Sequence, residues 1–250
     1  MANVHNEKFK KDPRDFAEKY PISPKKAEDA WNLSGTNVSG GGTIKYASLA
    51  TNQGVLSLAF VEESVGAVKT MLLKVANADA FPSHYLPYAN GFIVDYQIPE
   101  KDAKTDNDDP ANPRFFFTTA LSGCSIFVRG GTRSPIVTHA GMESPPANKP
   151  AWKDLLTGHL KITDPVTAVN KQDYRLADEI IEASKKKTVK TISTFACVFG
   201  VREDDGEWKF YLQVGRMQIT ERPKKPTSYT PLTPQVSQFY PTGVAQVHPA

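Results

Sequence analysis

The chain has little cysteine, little net charge and no long apolar run. Its 250 residues include two cysteines, too few for a disulfide scaffold or for a zinc site built from thiolates. No stretch approaches the roughly 20 apolar residues that cross a bilayer. The formal net charge of +3 is too small to indicate nucleic acid or an anionic membrane as a partner. What remains is a chain whose 40% hydrophobic residues suffice for an ordinary globular core.

Composition divides the chain into three regions. Residues 1–42 are polar; they predict short helices and then a glycine-rich linker that ends in Ser39-Gly40-Gly41-Gly42. Their start lacks the apolar core of a secretory signal, so no classical signal peptide is expected. Residues 43–220 carry the patterns of the main domain. Residues 221–250 contain six prolines, which predicts an extended tail that lies on the surface or projects from it.

The main region predicts an α+β domain with a sandwich or mixed sheet. Runs rich in β-branched and aromatic residues, bounded by Gly, Asn or Pro, predict strands; they lie at 44–49, 55–61, 67–75, 92–98, 125–129, 134–139, 189–201 and 208–220. Helical spacing of apolar residues predicts two helices, at 152–160 and 174–184. The order of strands, helices and again strands is typical of the α+β class.

One predicted hairpin brings a cysteine and a histidine together. Its turn sequence is Gly130-Gly131-Thr132-Arg133. If Arg129 pairs with Ser134 across this turn, Cys124 lies directly opposite His139, with Cβ atoms roughly 4.5–5.5 Å apart. A two-residue turn at Gly130-Gly131 would instead make His139 a diagonal neighbour of Cys124 on the same face. Only a loop of odd length or a bulge would separate the two side chains.

A thiol beside an imidazole is suited to acyl transfer. The imidazole takes the thiol proton, the thiolate attacks, and the proton is later returned to the leaving amine. A third group has to orient the base, and Thr118 is a candidate because the chain must turn between it and Cys124. Gly123 has no side chain to block backbone N–H groups, which could form an oxyanion hole beside the thiol.

A cysteine in an apolar run is most often a small core residue. Cys197, in the sequence Phe195-Ala-Cys-Val-Phe199, fits that description. For Cys124, spacing alone leaves both the structural and the catalytic interpretation open.

Leu121-Ser122-Gly123-Cys124 resembles the Leu-x-Gly-Cys motif of the bacterial toxin glutamine deamidases, which include the catalytic domain of the cytotoxic necrotizing factors and Burkholderia lethal factor. His139 follows fifteen residues later, a spacing similar to that of the necrotizing factors and a little longer than that of the lethal factor. Thr118 lies where the lethal factor and the related chemotaxis-receptor deamidase carry a threonine that orients the histidine. Leu121, Ser122, Gly123 and Ser125 would support the motif and its oxyanion hole.

The resemblance, which covers residues 115–141, implies a β-sandwich of mixed sheets flanked by helices. It implies hydrolysis of a glutamine side-chain amide on a host protein, through a thioester on Cys124 and without metal or organic cofactor. Family targets are Rho-type GTPases and the helicase of translation initiation. The expected setting is a bacterial toxin or effector, a monomer that is secreted or injected into the host cytoplasm.

Three other functions remain open. The same thioester could be intercepted by an amine, which would make the protein a transglutaminase. A cysteine protease is disfavoured because papain-like enzymes separate cysteine and histidine much further and place the cysteine on a helix. A domain of the same fold could also bind a partner without any chemistry. The acidic loop at 102–109 and the segment around Pro145-Pro146 are the predicted rims for a protein substrate.

Overall fold

A computed structural model gives the architecture of the chain. It describes residues 3–24, 27, 37–39, 45–50, 53–65, 68–101, 109–141, 166–175 and 179–241. Within these ranges the protein has three layers: two short N-terminal helices, a ten-stranded sheet and a six-stranded sheet. The predicted helix at 152–160, most of the acidic loop and the segment around Pro145-Pro146 lie outside the described residues.

The larger sheet, sheet A, is mixed. Its main path runs β1-β5-β4-β6-β8-β13-β14-β15, with β12 added to β13 and β16 added to β14. The pairs β1–β5 and β6–β8 are parallel and the other pairs are antiparallel. Its strands are β1 (Ile22–Ser23), β4 (Val55–Val65), β5 (Val68–Val75), β6 (Phe81–Leu86), β8 (Phe115–Thr118), β12 (Glu179–Ala183), β13 (Thr188–Arg202), β14 (Trp208–Glu221), β15 (Ser228–Pro231) and β16 (Gln235–Tyr240).

The smaller sheet, sheet B, has the order β11-β9-β10-β7-β3-β2. It too is mixed, because β3 pairs with β7 in parallel while the remaining pairs are antiparallel. Its strands are β2 (Asn37–Ser39), β3 (Lys45–Leu49), β7 (Phe92–Gln97), β9 (Ser125–Arg129), β10 (Ile136–Ala140) and β11 (Thr167–Val169). The glycine-rich linker predicted within residues 1–42 therefore contains a strand, β2, that was not predicted.

The predicted α+β class is wrong, because the protein is β-rich: 54% strand and 12% helix in two mixed sheets. The segment predicted as a helix at 174–184 shows why. It forms the last residue of α3 (Lys171–Tyr174) and then the strand β12. Ile180 and Ile181, which the helical pattern would bury, are 62% and 55% exposed. Pairing with β13 and the β preference of branched side chains outweigh the apolar spacing.

The N-terminal helices belong to the body of the fold. Helix α1 (Val4–Lys11) and helix α2 (Pro13–Lys19) cover the outer face of sheet A. Phe9 and Phe16 are 0% and 1% exposed and pack among the aromatic rings of the sheet. Gln213 fixes the segment further, since its amide group donates to the carbonyls of Ala17 and Tyr20. The short helices predicted at this end are confirmed, and they are integral to the core.

The second core lies between the two sheets. Apolar residues of sheet A, among them Phe116, Val198 and Phe210, meet Ile126, Val94 and Tyr96 of sheet B in this cluster.

The last region also joins the fold. Residues 228–231 and 235–240 are strands that pair with β14, where a proline-rich tail was expected. The tyrosine at the end of β16, Tyr240, is 7% exposed and donates a hydrogen bond to the carbonyl of Gly130 at 3.1 Å. The proline-containing segment is therefore anchored to sheet A at least as far as Tyr240.

Candidate active site

The predicted hairpin forms, with a longer loop than expected. Strands β9 and β10 pair antiparallel, with Arg129 opposite Ile136 and His139 opposite Ile126. The connection spans six residues, 130–135, two more than the predicted four-residue turn. Both predicted registers are therefore wrong by an even number of residues, and this error leaves every side chain on its predicted face.

Cys124 and His139 share the face of sheet B that is turned towards sheet A. Directly opposite residues of an antiparallel pair project to the same face, so His139 lies with Ile126 and Val94, both members of the inter-sheet core. Cys124 precedes the first paired residue of β9 and belongs to the same core. The two residues are thus placed as diagonal neighbours, a relationship in which the Cα atoms of an ideal ladder lie roughly 7–8 Å apart.

The site is closed. Cys124 is 4% exposed and His139 is 1% exposed. Neither ring nitrogen of His139 has a hydrogen-bond partner among the described residues, so the thiol and the imidazole are not hydrogen-bonded in this state. A buried imidazole that lacks a hydrogen-bond partner costs free energy.

Burial lowers the pKa of His139 to about 3, because a protonated ring would lose its hydration inside the core. The backbone of Pro87 acts in the opposite direction and raises the pKa, although neither ring nitrogen meets the geometry of a hydrogen bond. His139 is therefore neutral near pH 7 in the closed state. A neutral imidazole has the protonation state that a general base requires.

Tyr174 holds the backbone at Cys124. Its hydroxyl donates to the carbonyl of Cys124 at 2.8 Å. Burial raises the pKa of Tyr174, and the adjacent thiol of Cys124 raises it further, which indicates that the hydroxyl is near the sulfur as well. Next along the chain, the Ser125 hydroxyl donates to the Asn170 side chain at 2.9 Å. Helix α3 and the residue before it thus fix Cys124 and Ser125 from one side.

The residues before Cys124 form a short turn with one open side. Leu121 is 4% exposed and its N–H donates to the carbonyl of Ala196 at 2.8 Å, which attaches the turn to sheet A. Ser122 is exposed. A Cβ placed on Gly123 would meet nothing within 4 Å. The side of the motif that a Cβ on Gly123 would occupy is therefore open, whereas the cysteine that follows it is buried.

Thr118 shares the inter-sheet space with the pair. It lies opposite Leu86 in the β6–β8 ladder, and Leu86 belongs to the inter-sheet core. Its hydroxyl donates to the carbonyl of Thr119 at 2.9 Å. Since the His139 ring nitrogens have no partner, the expected Thr118–His139 hydrogen bond is absent in this state, although the hydroxyl oxygen retains the capacity to accept one.

Sequence patterns did not indicate two tyrosines that contact this site. Tyr174 was assigned to a predicted helix. Tyr88 lies in the connection between β6 and β7, and its ring packs against the His139 imidazole with 5.5 Å between centroids. Neither has a motif or spacing that links it to the cysteine; only the pairing of distant strands brings them there.

Cys197 lies on the other face of sheet A. It is 0% exposed within the core under the helices, and burial raises its pKa to about 12. Its thiol contacts the Gln213 side chain at 3.7 Å. The prediction that Cys197 is a core residue is confirmed.

The described residues contain no group of three or more His, Cys, Asp or Glu side chains arranged to hold a metal ion. No helix in these residues combines the length and apolar character needed to cross a membrane. No protein-family model matches the chain, and no curated protein matches it.

Proposed function

We propose that the protein is a protein-glutamine deamidase with Cys124 as nucleophile and His139 as general base. The observation that carries the proposal is the shared face of the two residues at the end of adjacent strands. The similarity of Leu121-Ser122-Gly123-Cys124 to the toxin deamidase motif supports it.

The first half-reaction transfers the acyl group to sulfur. The thiol of Cys124 gives its proton to His139, and the sulfur bonds to the carboxamide carbon of the substrate glutamine. Backbone N–H groups beside the thiol stabilise the developing oxyanion. The tetrahedral intermediate then collapses, the C–N bond breaks, and the imidazole proton leaves with the nitrogen as ammonia. The product is a thioester on Cys124.

The second half-reaction uses water. His139 removes a proton from a water molecule whose oxygen bonds to the thioester carbon, and the C–S bond breaks. The sulfur recovers its proton from the imidazole, and the substrate carries glutamate where it had glutamine. The change adds one negative charge to the target. This chemistry requires no metal or organic cofactor, and a host protein with an exposed glutamine is the proposed partner in the host cytosol.

The deciding experiment is peptide mass spectrometry of host-cell lysate treated with the protein. We expect a glutamine peptide to gain roughly one dalton with the wild type and not with Cys124→Ser, because a serine hydroxyl is far less acidic than a thiol. Cys197→Ser is the matched control, since Cys197 lies on the other face of sheet A. A lysate unchanged by a folded wild type would contradict the proposal.

Transglutamination is the nearest alternative, because an amine can attack the same thioester. A labelled primary amine added to the lysate distinguishes the two. Incorporation that exceeds conversion to glutamate would identify a transglutaminase, whereas conversion that persists with the amine present supports deamidation. Cleavage fragments that vanish on Cys124→Ser would instead identify a protease.

A non-catalytic binding domain is favoured by one observation: Cys124 and His139 are almost completely buried. An inert core cysteine would react with iodoacetamide much more slowly than a free thiol in a peptide. If this slow reaction accompanies an unchanged host lysate, the binding domain becomes the better interpretation. Rapid alkylation of Cys124 would favour the enzyme.

A further inference from the structure

A pocket opens at the edge of sheet A, where β15 ends and β16 begins. Strand β16 pairs with β14 as far as Val214, and β15 pairs with it from Met217 onward. The connection between the two strands leaves this ladder, although the Leu232 N–H still donates to the carbonyl of Arg216 at 3.0 Å. The pocket lined by this connection and by β14 has a volume of about 550 Å³, which is typical of sites for small ligands.

Strand β14 gives the pocket an apolar wall and a cation. Leu212, Val214 and Arg216 all line it, and because they alternate along the strand their side chains point to the same face. Leu212 and Val214 are each 5% exposed and belong to the inter-sheet core. Val236 of β16 adds a partly buried apolar side chain to the lining. The row of apolar side chains on β14 therefore ends in a guanidinium.

The Arg216 side chain has a buried donor without an acceptor. Its Nε–H is buried and has no hydrogen-bond partner among the residues that the structure describes. The two carboxylates of the lining are engaged elsewhere: Glu18 accepts from Arg14 at 2.9 Å, and the Asp173 side chain accepts from the Asn170 N–H at 2.6 Å. Because a buried donor without an acceptor is unfavourable, a ligand that supplies an acceptor to Arg216 would be stabilised in the pocket.

The lining favours one class of anion. A carboxylate offers a guanidinium two oxygens in one plane, which matches its fork of N–H donors. Leu212 and Val214 provide apolar surface that an apolar body can cover. The carboxylates of Glu18 and Asp173 would repel a doubly charged phosphate more strongly than a singly charged carboxylate. The ligand that meets all three conditions is a carboxylate attached to an apolar group.

We propose that this pocket binds a small carboxylate with an apolar body, whose oxygens accept hydrogen bonds from Arg216 and whose apolar part contacts the β14 side chains. The inference goes beyond the proposed function and does not depend on it. The pocket is nevertheless connected to the candidate active site through α3. Asp173 lines the pocket, and the hydroxyl of the next residue, Tyr174, donates to the carbonyl of Cys124.

The test is a titration of the full-length protein with hexanoate, followed by the NMR signals of the backbone amides. We expect saturable shifts at Leu212, Val214 and Arg216, with a Kd of about 1 mM, which is the scale for a ligand of this size. Two further probes separate the parts of the ligand. 1-Hexanol has the apolar chain without the charge, and inorganic phosphate has charge without the chain, so each should bind about tenfold more weakly than hexanoate or worse.

Three variants test the role of the guanidinium. Arg216→Gln removes the charge and should weaken hexanoate binding about tenfold or more. Arg216→Lys keeps the charge without the planar fork and should bind with intermediate affinity; it also serves as the test if the glutamine variant does not fold. Arg222→Gln is the matched control, because Arg222 is exposed and does not line the pocket, and it should bind hexanoate as the wild type does.

The proposal is overturned if hexanoate produces no saturable shifts in the wild type, or shifts only signals from residues outside the pocket. Hexanol that binds as tightly as hexanoate, or phosphate that binds more tightly, would show that a carboxylate is not the ligand. Wild-type affinity in Arg216→Gln would remove the guanidinium from the site. None of these readouts requires deamidation. A lysate that stays unmodified therefore contradicts the proposed function alone, and a pocket that does not bind hexanoate contradicts this site alone.

Discussion

His139 lies directly opposite Ile126 in the β9–β10 ladder, and Ile126 follows Cys124 by two residues. This pairing turns the imidazole into the inter-sheet core, where its nitrogens have no hydrogen-bond partner among the residues that the structure describes and burial lowers its pKa. The same position that would serve catalysis is thus unfavourable for folding. Function and stability should therefore respond in opposite directions when His139 is replaced.

His139→Leu should stabilise the protein while abolishing its activity. Leucine is apolar and similar in size, so it removes an unpaired buried polar group whose cost is about 1–3 kcal/mol. We expect the free energy of unfolding in urea to rise by about 1 kcal/mol or more, and deamidation to fall at least ~10²-fold. A loss of stability would show that the imidazole makes stabilising contacts in the closed state, which would contradict this account of the site.

Stability should increase with pH between about 3 and 6.5, and two buried histidines should account for much of the increase. Burial lowers the pKa of His84 to about 3, with the positive charge of Arg202 as a second cause, and burial lowers that of His139 similarly. In this range the unfolded chain binds protons that the folded protein does not, so the free energy of unfolding rises with pH. Each histidine contributes at most about 1.4 kcal/mol per pH unit.

The measurement is urea denaturation at several pH values from 4 to 7. His139→Leu removes one of the two titrating rings and should reduce the slope of unfolding free energy against pH. His5→Leu provides the control, because His5 lies near the exposed Glu62 at 3.8 Å rather than in the core. An unchanged slope in His139→Leu would mean that the His139 ring is already accessible to protons.

Thr118 offers a test of the role implied by the resemblance. Thr118→Val keeps the side-chain shape and removes the hydroxyl that would accept from His139 during the reaction. We expect deamidation to fall roughly tenfold, the equivalent of about 1.4 kcal/mol in a hydrogen bond, whereas Thr118→Ser should retain most activity. Equal activity in all three proteins would assign the orientation of His139 to another group, such as the carbonyl of Pro87.

Much of the fold could be predicted from the sequence where apolar alternation and turn residues agree. The strands predicted at 189–201 and 208–220 are confirmed as β13 and β14, which pair with each other. Strand β6 was not predicted, because Pro82 and His84 interrupt its apolar pattern. Contacts with other strands accommodate both residues. Pro82 lies opposite Ser57 of β4, and the His84 ring forms a hydrogen bond of 2.7 Å with the Tyr96 hydroxyl of sheet B.

The candidate pair could be predicted because a hairpin is local. The observed register differs from the predicted ones by an even number of residues. Cys124 and His139 therefore stay on one face of the sheet, although the loop is longer than predicted. Tyr88 and Tyr174 could not be predicted, because their contacts depend on how sheet A, sheet B and α3 come together. The wrong α+β class has the same cause, because it too depended on a contact between distant segments. Ile180 and Ile181 fit a helical pattern, but their segment forms a strand because it pairs with β13.

Phe9→Ala should destabilise the protein strongly although Phe9 lies near the N-terminus. The ring is 0% exposed and contacts aromatic rings on β4, β6, β8 and β13. Removing a buried phenylalanine side chain typically costs about 3–5 kcal/mol. Val4→Ala on the same helix is the control, since Val4 is 57% exposed and should cost little. Equal small effects would mean that α1 packs only loosely on sheet A in solution.

Tyr174→Phe should impair catalysis more than its effect on folding explains. The substitution removes the hydrogen bond to the Cys124 carbonyl at 2.8 Å and leaves that carbonyl buried, which costs about 1–2 kcal/mol of stability. Tyr240→Phe is a matched control because it removes a bond of the same kind, to the carbonyl of Gly130 at the other end of β9. We expect both variants to lose similar stability in urea denaturation. Only Tyr174→Phe should lower kcat, since small displacements of a nucleophile are costly; equal kcat values in the two variants would mean that Tyr174 supports the fold alone.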